Sequence, residues 1–155
     1  MSIEHKLHTE QVTQLSLNEF TTVESGVSVR DAIEKMRRER RNCAFITKDG
    51  NLAGILTDRD VLHRVVGHSD IWDHSIDEVM TPQPKSIKAN QPTGDALKIM
   101  NELHFRNIPV LNEDGDIRGN ITHFAIIRYL ADHFPKGVYN LPPTHENFGE
   151  YRYGG

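Results

Sequence analysis

Apolar positions along residues 19–70 change period several times, and each change marks an element. Phe20-Thr21-Thr22-Val23 reads as a short strand. Val29, Ala32, Ile33 and Met36 fall at i, i+3, i+4 and i+7, the spacing of one helical face. Ser28 stands where a cap belongs, and Asp31 places an acid in the first turn. Cys43-Ala44-Phe45-Ile46 reads as a buried strand, Asp49-Gly50 as a hairpin turn, and Leu52 to Leu56 as the return strand. Val61, Leu62, Val65 and Val66 then give a helix from about Asp58 to Val66. The predicted order is strand, helix, strand, strand, helix.

The same order recurs over residues 84–134. Lys85-Ser86-Ile87 is a strand, and Thr93 precedes a helix with Ala96, Leu97, Met100 and Leu103 inward. Ile108 to Leu111 and Ile117 to Ile121 are strands joined at Asp114-Gly115, and Phe124 to Leu130 is a helix. Asp31, Ala32 and Met36 match Asp95, Ala96 and Met100 at an offset of 64 (95 − 31). Asn42, Asp49-Gly50, Gly54 and Thr57 match Asn107, Asp114-Gly115, Gly119 and Thr122 at 65 (107 − 42), which predicts one extra residue between Met100 and Asn107. This is a tandem duplication. Each unit of roughly 50 residues buries little core alone. The expectation is an α/β (α+β) fold, two β-α-β-β-α repeats packed sheet against sheet with pseudo-twofold symmetry.

Three segments flank the repeats. Residues 1–18 are polar with Leu7, Val12, Leu15 and Leu17, a short helix that docks on the core or frays. In the connector 71–83, Ile76, Val79 and Met80 suggest a helical turn or two ended by Thr81-Pro82. Residues 135–155 are rich in Pro and Gly, with Tyr139, Phe148, Tyr151 and Tyr153. They read as a loose tail, or as one that wraps on the core or on a partner subunit.

Composition narrows the class. Hydrophobic residues are 37% and charged residues 26% of 155, as in a globular protein. No apolar run approaches the roughly 20 residues of a membrane span. Met1-Ser2-Ile3-Glu4-His5-Lys6 lacks a signal-peptide pattern. Cys43 is the single cysteine, which excludes an internal disulfide and fits a buried thiol in the cytoplasm. A net charge of −4 argues against nucleic acid as the main partner. Arg37, Arg38, Arg40 and Arg41 read as a solvated helix face, or as one that meets a polyphosphate or an acidic partner. No Cys–His set has zinc spacing, and His63 and His68 do not share a helix face. No nucleophile elbow, P-loop or carboxylate pair is present, so no catalytic residue and no metal ligand is assigned.

The densest chemistry is Gly54-Ile55-Leu56-Thr57-Asp58-Arg59-Asp60, at a strand-to-helix junction. Thr57-x-x-Asp60 is a capping-box pattern. The same groups suit a ligand: a carboxylate accepts two hydrogen bonds from a cis-diol, and free N–H groups at a helix start suit a phosphate. Arg59 adds a positive charge. The two roles are compatible, and both stay open.

These residues carry a family resemblance. Gly54 to Asp60, Val79-Met80-Thr81 leading to Ser86-Ile87, the Asn107-Ile108-Pro109-Val110 strand and the paired Asp-Gly turns resemble a tandem pair of CBS domains, the Bateman module named after cystathionine β-synthase. The match covers about residues 19–134 and is nearest to free-standing bacterial CBS pairs. The resemblance implies a non-enzymatic, cytoplasmic signal-transduction module. It would bind AMP, ADP or ATP, with NAD or S-adenosylmethionine as further adenosyl ligands, and regulate a protein effector in trans. It also implies a homodimer, with no nucleic acid or membrane partner. Carried over, Asp60 accepts the ribose hydroxyls, and Thr57 meets ribose or phosphate. Thr22 is the polar residue on the first strand, and Cys43, Ala44 and Phe45 flank the base. The alternative is a ligand-free structural adaptor that dimerises and binds a protein partner.

The second repeat departs from the signature. Gly119-Asn120-Ile121-Thr122-His123-Phe124-Ala125 has Ala125 where the acid should be. Loss of that contact would cost about 1.5–3 kcal/mol in ribose binding. The second cleft is then empty, weak or adapted to another ligand, with Ser86, Arg106, Thr122 and His123 as residues that could hold a phosphate.

Overall fold

The structure is a computed structural model that describes residues 2–133. The tail readings at residues 135–155 lie outside those residues. The first half contains α1 (Ile3–Thr9), a 3-10 turn (Val12–Gln14), β1 (Thr21–Glu24), α2 (Val29–Glu39), β2 (Cys43–Lys48), β3 (Asn51–Thr57) and α3 (Asp58–Arg64). The second contains 3-10 turns at Ile71–Asp73 and Ile76–Glu78, then β4 (Thr81–Pro82), β5 (Ile87–Lys88), α4 (Thr93–Leu103), β6 (Asn107–Leu111), β7 (Ile117–Thr122) and α5 (His123–His133). The fold is α+β. One sheet runs β1-β2-β3-β4 and the other β5-β6-β7, and each opens with a parallel pair followed by an antiparallel hairpin.

Local chemistry explains the elements. Ser28 Oγ accepts from the Asp31 N–H at 3.1 Å and starts α2. Val29, Ala32 and Met36 bury one face of that helix. Arg40 ends it in the left-handed conformation, φ 54°. The helix predicted to reach Val66 stops at Arg64, because the Val66 N–H bonds back to the Val61 carbonyl and Gly67 turns left-handed at φ 86°.

The hairpins relocate the extra residue of the second repeat. Cys43 lies opposite Thr57, and Asn107 lies opposite Thr122. Since Thr57 and Thr122 are 65 apart (122 − 57), Asn107 is the counterpart of Cys43, 64 on (107 − 43), and not of Asn42. The step falls in the hairpin loop. Lys48 pairs with Asn51 across the two residues Asp49-Gly50. In the second repeat the Asn112 N–H reaches the Asp116 carbonyl, at 2.9 Å, across three residues. An insertion in an exposed turn costs less than one before a buried strand.

The two repeats are interlocked. The Ile76 N–H donates to the Val27 carbonyl (2.7 Å) and the Val29 N–H to the His74 carbonyl (2.9 Å). At positions 64 away, the Val12 N–H donates to the Gln91 carbonyl (3.0 Å) and the Thr93 N–H to the Glu10 carbonyl (2.8 Å). So the segment that precedes each repeat closes the core of the other. Val12 and Leu15 are buried with Ile108, Val110 and Ile121 of the second repeat. Ile76 and Val79 are buried with Ala44, Ile46 and Leu56 of the first. The N-terminal segment therefore docks, and the phenol of Tyr129 on α5 donates to the Glu10 carboxylate. Burial and that carboxylate push the Tyr129 phenol up to about 12. A third cluster, Cys43, Phe45 and Ile55 with Phe20 and Ile117, forms where the two sheets meet.

Two glycines permit the crossing. A Cβ on Gly54 would stand 2.3 Å from Met80 Sδ and 3.1 Å from the Thr81 carbonyl oxygen. A Cβ on Gly119 would stand 2.4 Å from Leu17 Cβ and 2.6 Å from the Leu17 carbonyl oxygen. Gly119→Ala is therefore expected to destabilise the protein by about 1–3 kcal/mol. Gly54→Ala should cost less, since the flexible Met80 side chain can withdraw. Denaturant unfolding of both variants measures the difference; equal costs would contradict the close backbone approach at Gly119.

Candidate functional site

Thr57 and Asp60 form a complete capping box at the start of α3. The Asp60 N–H donates to Thr57 Oγ1 at 3.3 Å. Asp60 Oδ2 accepts from the Thr57 N–H at 3.0 Å and from the Thr57 hydroxyl at 3.1 Å. Among the described residues, the other carboxylate oxygen, Oδ1, has only the Arg64 guanidinium, 4.0 Å away. A carboxylate offers about four lone-pair directions. The cap therefore leaves Asp60 free to accept further hydrogen bonds, and capping and ligand binding coexist on one side chain.

The same junction corrects the expectation of free N–H groups. The Asp58 N–H donates to the Asn42 carbonyl at 3.0 Å. The Arg59 N–H donates to Asp58 Oδ1 at 2.8 Å, and the Asp60 N–H is the cap already described. The first turn of α3 has spent its donors locally. An anion beside α3 must be met by side-chain cations instead.

Those cations surround a cavity of about 840 Å³ between the two repeats. One wall is Ile55, Thr57, Asp58, Arg59, Asp60 and the next turn of α3. The opposite wall comes from the second repeat, where α4 runs into β6: Leu103, His104, Phe105, Arg106 and Asn107. The crossing segment supplies the floor, from Thr81 to Lys85. Arg59, Lys85 and Arg106 set three fixed positive charges against Asp58 and Asp60. Leu62, Leu103 and Phe105 present exposed apolar surface at the same place. His104 and Gln83, at φ 56° and 46°, are non-glycine residues held left-handed on this lining. Such conformations cost of order 1–3 kcal/mol and concentrate at ligand clamps.

Of the residues singled out in the first repeat, Thr57, Arg59 and Asp60 line this cavity. Thr22, Cys43, Ala44 and Phe45 stand outside its lining. The Thr22 carbonyl accepts from Lys35 Nζ at 2.6 Å. Cys43, Ala44 and Phe45 are fully buried, and Phe45 stacks on Phe20 at 4.7 Å. Burial, with the Asp60 and Asp58 carboxylates nearby, pushes the Cys43 thiol well above its ordinary range, so it stays protonated. The wall from Leu103 to Asn107 was missed apart from Arg106. Its local signal is an exposed aromatic, Phe105, between His104 and Arg106, and only the interlock brings it to α3.

A second cavity, about 310 Å³, is the counterpart at the start of α5. Arg106, Thr122 and His123 line it, and Ser86 does not. Asp58, Arg106 and Asn107 line both cavities. In the arginine run of α2, Arg37 pairs with Glu34 at 2.6 Å and Arg41 with Glu19 at 2.9 Å, while Arg40 faces the second cavity. Among the described residues, no cluster of three or more His, Cys, Asp or Glu is arranged to hold a metal ion. No helix among them is long and apolar enough to cross a membrane.

Comparison with known proteins identifies the repeats. A family model described as CBS domain matches residues 12–67 and again 76–132. A CBS domain-containing protein of Arabidopsis thaliana is 34% identical over 98 residues, which are 59% of this chain and 18% of that protein. An uncharacterized protein of Methanocaldococcus jannaschii is 24% identical over 143 residues, 90% of this chain and 51% of its own length. The chain thus spans about a fifth of the plant relative and half of the archaeal one. Among solved structures, a CBS-domain protein from Agrobacterium tumefaciens has a TM-score of 0.65 at 26% identity, covering 72% of this chain and 90% of that one. The cytosolic domain of the Mg2+ channel MgtE in complex with ATP has a TM-score of 0.67 at 20% identity, covering 78% of this chain and 49% of that one.

Proposed function

The chain belongs to the CBS-domain family as a tandem pair of repeats, and from that premise we propose that it is a non-enzymatic regulatory module that binds an adenine nucleotide in the first cleft. The carrying observation is the unspent Oδ1 of Asp60, set in a cavity of about 840 Å³ whose walls come from both repeats. Ligand pockets of this kind span about 300–1,000 Å³ and combine apolar surface with a few convergent polar groups. Asp60 accepts the ribose diol, with Thr57 beside it. Leu103 and Phe105 offer apolar contact to the base. Arg59, Lys85 and Arg106 meet phosphate as charge-assisted donors. AMP, ADP and ATP fit these groups, and NAD and S-adenosylmethionine share the adenosine part. ATP is bound in the MgtE structure, a protein of the same fold, which agrees with this ligand class.

A nucleotide seated here touches both repeats. It shifts their packing only by its differential affinity for the two arrangements. A protein effector in the cytoplasm reads that shift.

Exposed apolar residues on the helices give the proposal a dimer surface and support the adaptor reading as its alternative. Leu62 and Val66, at and just beyond α3, are 66% and 56% exposed, and Phe124 and Ile127 of α5 are 63% and 57% exposed. Single exposed apolar side chains are ordinary, but Leu62 and Ile127 stand at duplicated positions, 65 apart (127 − 62), each with a further exposed apolar residue near it, and that arrangement fits a second copy of this chain. Sedimentation equilibrium is expected to give a dimer for the native chain and a monomer for the double variant Leu62→Glu, Ile127→Glu. A native monomer, or a dimer that survives both charges, would remove this interface.

The nucleotide site has its own test. Calorimetry of Asp60→Ala and Asp60→Asn is expected to show adenine-nucleotide affinity lowered about tenfold to a hundredfold, the loss of a charged hydrogen bond of about 1.5–3 kcal/mol. The dimer should persist in both variants. Unchanged affinity would overturn the assignment of Asp60. No thermal shift of the native protein with AMP, ADP, ATP, NAD or S-adenosylmethionine at millimolar concentration would favour the adaptor.

A further inference from the structure

The second cleft keeps the scaffold of the first and replaces its chemistry. Thr122 Oγ1 accepts from the Ala125 N–H at 3.1 Å, as Thr57 does from Asp60, so α5 has the cap but no carboxylate to face the cavity. Three arginines converge there from three elements. Arg40 ends α2 in a left-handed turn, Arg106 precedes β6, and Arg128 lies one turn into α5. Among the described residues, none of these three guanidinium groups has a hydrogen bond or an ion pair. The acids in the same lining are spoken for: Glu19 accepts from Arg41 at 2.9 Å, and Asp58 Oδ1 accepts from the Arg59 N–H. His123 Nδ1 is buried on this cavity with no partner among the described residues. The volume, about 310 Å³, lies at the lower end of ligand pockets, so the occupant is compact.

We propose that the second cleft is a phosphate-class oxyanion site built by Arg40, Arg106 and Arg128, and that it takes no nucleoside. Guanidinium groups match a phosphate with paired N–H donors and keep their charge at any physiological pH. Position 125 offers no carboxylate at the helix start, where Asp60 stands in the first cleft, and the three arginines outnumber the two acids of the lining, of which Glu19 is already paired with Arg41. Because Asp58, Arg106 and Asn107 line both cavities, the oxyanion is either free in solution or the phosphate end of a ligand whose nucleoside sits in the first cleft. The chemistry recognised is the same.

The test is calorimetric titration of the full chain with pyrophosphate at fixed ionic strength. Saturable binding is expected, weakened about tenfold or more by Arg128→Gln and by Arg40→Gln, and changed less than about twofold by Asp60→Ala. Arg128 and Arg40 lie outside the lining of the first cleft, so their effect locates the anion. Ala125→Asp supplies a variant of the opposite sense: it restores the acid of a capping box and should abolish pyrophosphate binding in a folded protein. The source is then separated with ATP. Weaker ATP binding in Arg128→Gln with adenosine unaffected assigns the site to the tail of a bound nucleotide. Unchanged ATP binding with pyrophosphate binding lost assigns it to a free oxyanion. No binding of pyrophosphate at millimolar concentration, or binding that Arg128→Gln, Arg40→Gln and Ala125→Asp all leave intact, overturns the proposal. The titration needs no adenine ligand, so its failure is distinct from failure of the first-cleft reading.

Discussion

Each repeat is closed by a segment that belongs, in sequence, to the other. The backbone bonds Ile76 to Val27 and Val12 to Gln91 stitch the exchange, and Gly54 and Gly119 let it pass at van der Waals contact. Neither half can bury its own core without this partner segment, because Val12 and Leu15 fill one core and Ile76 and Val79 the other. The interlock also makes the clefts. Thr81 to Lys85 run along the floor of the first, and Ser16 and Glu19 border the second, so each cleft is lined by residues from both repeats. A molecule bound in such a cleft acts on the relation between the repeats, which is what a regulatory module requires.

The scaffold is symmetric and its surface chemistry is not. Asp60 faces Ala125 across the pseudo-twofold relation, and Cys43 and Ile55 face Asn107 and Asn120. Asn120 is fully buried, and its amide donates to the Glu19 carbonyl and to Asn107 Oδ1, both at 2.9 Å. The first repeat thus brings an apolar face to the junction of the sheets and the second a hydrogen-bonded one. The same division recurs at the clefts: a carboxylate with mixed polar and apolar walls in one, unpaired arginines in the other.

Much of the fold was legible because its periods are clean. The helical spacing of Val29, Ala32 and Met36, the Asp-Gly turns and the duplicated order of elements all needed only local information. The exchange was not legible. Val12 and Leu15 stand in a polar run with no period, and nothing local says which core they enter. The shared residue type of Asn42 and Asn107 puts the inserted residue before the strand, whereas strand register makes Cys43 the counterpart of Asn107. At the site, Thr57, Arg59 and Asp60 were readable from the motif. The wall from Leu103 to Asn107 depends on contacts between distant segments. The local bonds of the Asp58 and Arg59 N–H groups depend on where Asn42 and the Asp58 carboxylate lie in space.

One nucleoside-gripping cleft in a chain with two clefts is tested most directly by binding stoichiometry. AMP and 2′,3′-dideoxy-AMP are titrated by calorimetry into the native chain. One AMP per chain is expected, with affinity falling about tenfold or more when the ribose hydroxyls proposed to donate to Asp60 are removed. Two equivalent AMP sites per chain, or equal affinity for the dideoxy analogue, would contradict the account.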